Sequence, residues 1–138
     1  MDVSTALDRL TGHKNAVLIT LRRDGRAQSS DIVYVVDEDT IKISVTDDRA
    51  KTRNLRRDNR AVFHFTDPAS WSYVSIDAIA EVSPVAETPD EATVDALVDI
   101  YRAIAGEHDD WDAYRAAMVD EGRCLVTLTP QSVTGQLN

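Results

Sequence analysis

The residues of this chain best suited to ligand chemistry are the cations in and just after the segment DDRAKTRNLRRD, which spans residues 47–58. Six of the fifteen lysines and arginines lie within twelve positions, although the chain has a formal net charge of −9. They are Arg49, Lys51, Arg53, Arg56, Arg57 and Arg60. If Asp48 caps a helix that ends near Asp58, several of these arginines share one face, where like charges repel by about 0.2–0.5 kcal/mol per pair. The segment therefore needs a source of negative charge.

The first turn of this predicted helix is the expected place for that charge. Arg49 and Lys51 lie there, where the helix macrodipole favours anions and the first N–H groups have no partner in the helix. A bound phosphate or carboxylate would accept charge-assisted hydrogen bonds from both side chains. The helix also follows a predicted strand, IKISVT, whose Ser44 and Thr46 hydroxyls share a face near its start. We predict an anion site; a solvated, ion-paired surface remains the alternative.

The remaining sequence predicts a mainly β (α+β) domain that occupies residues 1–138. A short helix with Ser4 as its N-cap comes first. Alternation of apolar and polar residues, together with turn residues such as Asp24 and Gly25 in a two-residue hairpin, then indicates six strands and a barrel. The strands are NAVLITL, AQSSDIVYVV, IKISVT, AVFHF, WSYVSIDAIAEVSPV and CLVTLTP. A helical insert at about residues 88–121 begins with a capping box at Thr88–Glu91. Its second helix, in DDWDAYRAAMVDEG, starts at an Asp cap.

Composition excludes several classes of function. The isoelectric point near 4.6 makes a nucleic acid an unexpected partner, because an acidic protein repels a polyanion. No apolar run approaches the roughly 18 residues of a membrane span, and a secretory signal is not evident, so we expect a cytoplasmic protein. The histidines His13, His64 and His108 lack metal-ligand spacing, and we expect no metal site. Cys124 is expected to be a buried apolar residue.

The order of these elements, with the segments RAKTRNLRRD and GEHDDWDAY, resembles the deazaflavin-dependent branch of the pyridoxamine 5′-phosphate oxidase-like split-barrel flavoproteins. The resemblance covers nearly the whole chain. It implies a six-stranded split β-barrel of the FMN-binding-like type with flanking helices, and a homodimer with cofactor sites at its interface. It also implies an oxidoreductase that transfers a hydride between reduced coenzyme F420 and an electrophilic, conjugated carbon of a small molecule. An FMN-dependent oxidase and a non-catalytic coenzyme carrier are the alternatives.

The same resemblance implies which residues contact the cofactor. The α-helical segment would hold its charged tail, the strand before that segment would lie beside its ring system, the second strand would run under the ring, and two aromatic residues would come from the partner subunit. The tail contacts are Arg49, Lys51, Thr52 and Asn54, and the residues beside the ring are Ser44, Val45 and Thr46. The residues under the ring are Gln28, Ser29 and Ser30, and the aromatic residues from the partner subunit are Trp71 and Tyr73. Asp31 stands where an uncharged amide is expected. No catalytic residue is assigned, and Tyr34, Tyr73 or a water molecule could supply a proton.

Overall fold

The computed structural model describes all 138 residues, which form four helices and one seven-stranded antiparallel sheet. The helices are α1 (Val3–Leu10), α2 (Ala50–Arg57), α3 (Ala92–Ala105) and α4 (Trp111–Asp120). The strands are β1 (Asn15–Leu21), β2 (Ala27–Val33), β3 (Val35–Asp37), β4 (Thr40–Thr46), β5 (Arg60–Asp67), β6 (Ser72–Val82) and β7 (Arg123–Gln136). Their order in the sheet is β2-β1-β5-β6-β7-β4-β3. The mainly β, α+β architecture agrees with the prediction.

The sheet curls around a single large core. Alternate residues of each long strand are buried, as in β4, where Ile41, Ile43 and Val45 face inwards. This is the period of two that an antiparallel strand with one wet face requires. Tyr34 and Phe63 pack edge to face at the centre, with ring centroids 4.9 Å apart. Helix α1 closes one end of the core with its buried apolar side chains.

The prediction of six strands is wrong, because the segment AQSSDIVYVV forms two strands. At Tyr34 the chain leaves β2 and starts β3, and its N–H bonds to the carbonyl of Lys14. The Tyr34 side chain turns into the core, where its hydroxyl donates to the carbonyl of Leu10 at 2.7 Å. Burial of this large ring bends the chain away from β1, so that β3 pairs with β4 instead. Consecutive strands therefore lie at the two opposite edges of the sheet.

The cap of α1 and the turn after β1 also differ from the predictions. Asp2, rather than Ser4, caps α1, because its carboxylate accepts from the N–H of Thr5 at 2.8 Å. The turn after β1 closes through Arg22 and Arg26 and has three central residues rather than two, with Gly25 at φ +87°. A glycine in this left-handed region is typical of the three-residue hairpin with a bulge.

The insert also begins later than its capping box indicated. Thr88–Asp90 form a turn, and α3 starts at Ala92 with Glu91 as its N-cap. The Glu91 carboxylate instead accepts from the N–H of Glu87 at 2.7 Å, which holds that turn outside the helix. The cap of α4 at Asp110 is confirmed by its bond from the N–H of Ala113. Helices α3 and α4 share a smaller second core.

None of the four helices is both long enough and apolar enough to cross a bilayer.

Candidate functional site

The two edges of the curled sheet leave a gap, which we call the split. Strand β2 pairs only with β1, and β4 pairs with β3 only over Thr40–Lys42. The rest of β4 has β7 on one side and faces β2 on the other. Backbone groups along both edges are therefore free to bind a flat ligand, in the way that an exposed sheet edge binds an added strand.

A cavity of about 280 Å³ lies in the split. Its polar lining residues come from four different elements or their ends, and its apolar residues come from β2, β4 and α3. The polar ones are Asp31, Ser44, Lys51 and Arg123, and the apolar ones are Ile32, Val33, Ile43, Ile100 and Ile104. An apolar slot with a few converging polar groups is the usual form of a small-molecule site.

Lys51 is the unusual member of this lining. Only 9% of the residue is exposed, yet it forms no ion pair and no side-chain hydrogen bond. Burial lowers the pKa of its ammonium group, and the nearby Arg49 and Arg123 cations lower it further. A buried charge without a partner is costly, and proteins almost always pair one. Lys51 is therefore the cation of this cavity whose charge no bonded group of the chain balances.

The N-terminus of α2 beside Lys51 is also unfilled. The predicted Asp48 cap is wrong: Arg49 is the N-cap, it makes no side-chain cap bond, and the first turn has no acidic residue. The backbone N–H groups of Ala50 and Lys51 have no acceptor in the protein. Arg49 itself is exposed and unpaired. Free N–H donors, a positive dipole end and two cations thus converge at one place, which we call the α2 mouth.

The C-terminal half of α2 is different, because its polar groups are occupied. Arg56 forms an ion pair with Asp47 at 3.0 Å and donates to the carbonyl of Ser83. Arg57 donates to the carbonyl of Leu21 at 2.8 Å. Just beyond the helix, Arg60 pairs with Asp58, whose pKa it lowers to about 2 by hydrogen bonding. The ion-paired surface that the sequence left as an alternative thus describes this half of the cluster. The anion site at the other half stays a prediction.

Two of the predicted tail contacts are buried and already bonded. The Thr52 hydroxyl donates to the carbonyl of Thr46 at 2.8 Å and anchors the start of α2 to the end of β4. The Asn54 amide donates to the Thr20 hydroxyl at 3.1 Å and to the Gln28 side chain at 2.9 Å. These bonds position α2 on the sheet, so the side chains of Thr52 and Asn54 are structural in the free protein.

The predicted ring contacts are divided between the two faces of their strands. Ser44 lines the split, whereas Val45 points into the core and can offer a ligand only its backbone. On β2, Ser29 is exposed and Ser30 is half-buried on the inner face. The small size of both serines leaves the β2 edge open to a flat ring.

Trp71 and Tyr73 lie at the turn before β6 and at the start of β6. In the sheet, β5 and β1 lie between β6 and the β2 edge of the split. Trp71 is 84% exposed with φ +56°, and Tyr73 stacks on His64 with ring centroids 5.9 Å apart. Their predicted place in the pocket of a partner subunit stays a prediction.

Tyr34 is not available as a proton donor. Its hydroxyl proton is committed to the carbonyl of Leu10, and burial raises its pKa above the usual tyrosine value. Cys124 is buried as expected, and burial raises the pKa of its thiol.

Sequence analysis missed Arg123 and the two isoleucines of α3 that line the split. Arg123 begins β7 and lies opposite Thr46, and its guanidinium pairs with Glu121 at 3.0 Å. A pairing of the last strand with IKISVT would have placed Arg123 near the α2 mouth. Ile100 and Ile104 belong to α3, and only the docking of α3 over the split brings them to this cavity.

Known proteins show the same architecture. The chain of the conserved hypothetical protein Rv2991 from Mycobacterium tuberculosis superimposes with a TM-score of 0.78 at 21% identity, over 99% of this chain and 85% of that one. An F420 reductase superimposes with a TM-score of 0.66 at 19% identity, over 88% of this chain and 89% of that one. The heme storage protein HutZ from Vibrio cholerae superimposes with a TM-score of 0.69 at 16% identity, over 97% of this chain and 94% of that one. The same fold in these structures therefore covers nearly the whole length of this chain.

A family model shows more than the fold. The model for pyridoxamine 5′-phosphate oxidase matches residues 4–137, which includes every strand, every helix but the first residue of α1, and the whole split. The chain therefore belongs to the pyridoxamine 5′-phosphate oxidase-like split-barrel family, whose members bind flavin-type cofactors.

Proposed function

We propose that this protein is an oxidoreductase that uses coenzyme F420, with the anionic tail of the coenzyme at the α2 mouth and its ring along the split. The observation that carries the proposal is the buried, unpaired ammonium of Lys51 beside the unfilled N–H groups of α2. A phosphate there would accept hydrogen bonds from Lys51, from Arg49 and from the backbone.

The rest of the split suits a flat ring. Strand β2 offers its free backbone edge at Gln28–Ser30, where a ring's pyrimidine groups could form hydrogen bonds. Ser44 on the opposite edge has a small side chain, and Ile100 and Ile104 of α3 exclude water from above. Asp31 lies in the same cavity and forms no ion pair, so it disfavours a second anion near the ring.

When bound and reduced, a deazaflavin supplies a hydride to an electrophilic carbon of a conjugated substrate. The protein's part is to anchor the tail, expose one ring face and keep the slot dry, so that donor and acceptor carbons are held together. Since Tyr34 is committed to the core, the proton that completes reduction comes from water or from Tyr73 of a second subunit.

The F420 reductase among the similar structures is in keeping with this choice of coenzyme. FMN is the alternative cofactor, because it also has a phosphate for the α2 mouth and a ring for the split. A non-catalytic coenzyme carrier is the second candidate function. One observation favours it: the residues that line the split include no histidine, tyrosine or cysteine that could serve as a proton donor.

We also propose a homodimer. The outer face of β1, β5 and β6 has an apolar depression of about 370 Å³ that includes Ile19, Val62 and Ile79, and Ile79 is 38% exposed. Trp71 is almost fully exposed in a left-handed conformation that is rare for a bulky residue. A partner subunit would cover these apolar groups and bring Trp71 and Tyr73 to the other split. Sedimentation equilibrium should give twice the chain mass, and a monomer at micromolar concentration would refute this part.

Fluorescence titration tests the coenzyme assignment. Wild-type protein should quench coenzyme F420 with higher affinity than FMN, and Lys51→Ala should weaken binding. Lys42→Ala is the matched control, because Lys42 is a partly buried lysine that Asp37 already neutralises. If Lys51→Ala and Lys42→Ala bind the coenzyme with equal affinity, Lys51 does not contact the coenzyme and the α2 mouth is an ordinary charged surface. Turnover is tested separately by following the absorbance of reduced coenzyme with conjugated enones or quinones; binding without oxidation of the coenzyme would favour the carrier.

A further inference from the structure

Helix α3 has two apolar stripes, and only one of them is fully packed. Val94, Leu97 and Val98 are buried in the second core with α4. The side that faces the strands is unevenly covered: Ile100 is buried, Ala103 is exposed, and the half-buried Ile104 also packs against the second core. An apolar stripe that its own domain leaves partly open is an unusual feature of a helix that packs on a sheet.

Three cavities follow this second stripe and share its residues. The first is the cavity in the split, which ends at Ile104. The second, of about 300 Å³, continues from Ile104 and Ala103 to the loop at residues 10–14. The third, of about 360 Å³, lies between α3 and β3 and includes Ile100 and Ala103. We call the second and third cavities together the α3 groove; each adjoins the split cavity through a residue that both line.

The charges along the α3 groove are uneven. In the third cavity Lys42 is paired with Asp37 at 2.6 Å, and Asp99 lies 3.8 Å from Arg102, so both charges have opposite partners. In the second cavity Lys14 has neither an ion pair nor a side-chain hydrogen bond, and His13 lies next to it. The two cavities of the α3 groove share apolar residues, Val35, Val36 and Ala103, and the groove therefore has one cation, Lys14, that no bonded group balances.

We propose that the α3 groove is the substrate site, and that it takes an elongated apolar molecule with an anionic end group. Its apolar body would lie against Ala103 and Ile104, its anionic end would lie at Lys14, and its other end would reach the split. This inference rests on the proposed function, since the reacting end must meet the coenzyme there. The size of the two cavities and their mainly apolar lining match those of small-molecule sites.

The test uses cis-parinaric acid, a long conjugated carboxylate whose fluorescence rises in an apolar site, with the full chain and no coenzyme. Ala103→Trp fills the groove and should weaken binding at least about tenfold, as added bulk does in a fitted apolar pocket. Ala105→Trp is the matched control: Ala105 is an exposed alanine of the same helix that lines none of these cavities, and its variant should bind like wild type. Circular dichroism melts show whether either variant is misfolded.

Two further arms locate the ligand. Lys14→Ala should weaken the carboxylate probe but leave parinaryl alcohol unchanged. Ile79→Asp, on the outer sheet face, should have no effect on either probe. Equal loss in both tryptophan variants, or loss only in Ile79→Asp, would overturn the inference. The coenzyme titration is independent: Lys51→Ala should lower coenzyme affinity without changing probe binding in the second cavity, so failure of the groove and failure of the coenzyme site are told apart.

Discussion

The two halves of α2 are both rich in cations, but they differ in whether those cations have partners within the protein. At the C-terminal end, Arg56 and Arg57 reach acceptors on neighbouring elements. At the N-terminal end, Arg49 and Lys51 have none, and the backbone N–H groups beside them are also free. A paired cation stabilises the fold, whereas an unpaired cation is free to bind a ligand. Under the proposed function, this difference separates structural charge from ligand-binding charge within two turns of one helix.

Substitutions in the two halves of α2 should also change different free energies, that of unfolding in one half and that of ligand binding in the other. Removal of a buried, bonded polar group at the C-terminal half should cost folding stability, because its partners lose their bonds. Removal of an unpaired cation at the N-terminal half should cost ligand affinity and leave stability intact or higher, because a desolvated charge disappears. Each variant below therefore has an expected effect on one quantity and an expected lack of effect on the other.

The largest effect is expected for Asn54→Ala. Its amide donates to Thr20 and Gln28 and accepts from Arg57 at 3.0 Å; the bond to Thr20 is buried and the other two are partly buried. Loss of these bonds should lower the free energy of unfolding by about 2–4 kcal/mol. Urea denaturation measures it, with the exposed Asn59→Ala as control. A change under about 0.5 kcal/mol, the scale of a neutral surface substitution, would contradict the structural role.

Lys51→Ala comes next, and its effect is on binding. Loss of a charge-assisted hydrogen bond to the coenzyme tail should weaken affinity by about 1–3 kcal/mol. The free energy of unfolding should not fall, since the ammonium has no partner in the free protein. Isothermal titration and urea denaturation on the same preparation check both statements. A destabilised variant with unchanged affinity would show that Lys51 belongs with the structural cations.

The pH dependence of binding should follow the same lysine. Because burial lowers its pKa below 10.5, Lys51 loses its proton at a lower pH than a free lysine, and affinity for an anionic tail should fall through that range. In the free protein the sign is opposite: the unfolded chain holds the proton more tightly, so stability gains as pH rises through the lowered pKa. Lys51→Arg should remove the alkaline fall in affinity, and a fall that persists would assign it to another group.

Arg49→Ala should weaken coenzyme binding by about 1 kcal/mol, less than Lys51→Ala, because an exposed cation competes with water and salt. The loss should shrink as salt increases. If Arg49→Ala costs the same at low and high salt, the guanidinium does not act on the tail through its charge.

The smallest effect is expected for Arg56→Ala. Its ion pair with Asp47 is partly exposed, so the unfolding free energy should change by no more than about 1 kcal/mol, and coenzyme affinity should stay as in wild type. A coenzyme loss comparable to that of Lys51→Ala would erase the distinction between the two halves of the helix.

Much of the fold could be predicted from local patterns. The alternation in IKISVT correctly placed Ile41, Ile43 and Val45 in the core, and the predicted Asp cap of the second insert helix is confirmed at Asp110. Helix starts were less accurate: Asp48 and Ser4 had suitable side chains, but the geometry selected Arg49 and Asp2. Cap preference differs little among neighbouring polar residues, so tertiary packing decides which one is used.

Only part of the candidate site could be predicted from the sequence. A run of cations in the first turn of a helix implies an anion by elementary electrostatics, and that inference needed no fold. Which cations lack partners was decided by the tertiary structure, because Asp47 and the carbonyls of Leu21 and Ser83 are brought to α2 by distant strands. The resemblance to a family supplied the remaining site residues, and the structure shows two of them, Thr52 and Asn54, already bonded within the protein.

By itself the sequence determined the strand periodicity, the two helices of the insert and the excess of positive charge at one helix start, since all three depend on neighbours within a turn or a strand. Only the tertiary structure decided the break at Tyr34, the split between β2 and β4, and the arrival of Arg123 and α3 at that split. Those features depend on which strands pair and on where a large ring finds room in the core, and such contacts join residues far apart in the chain.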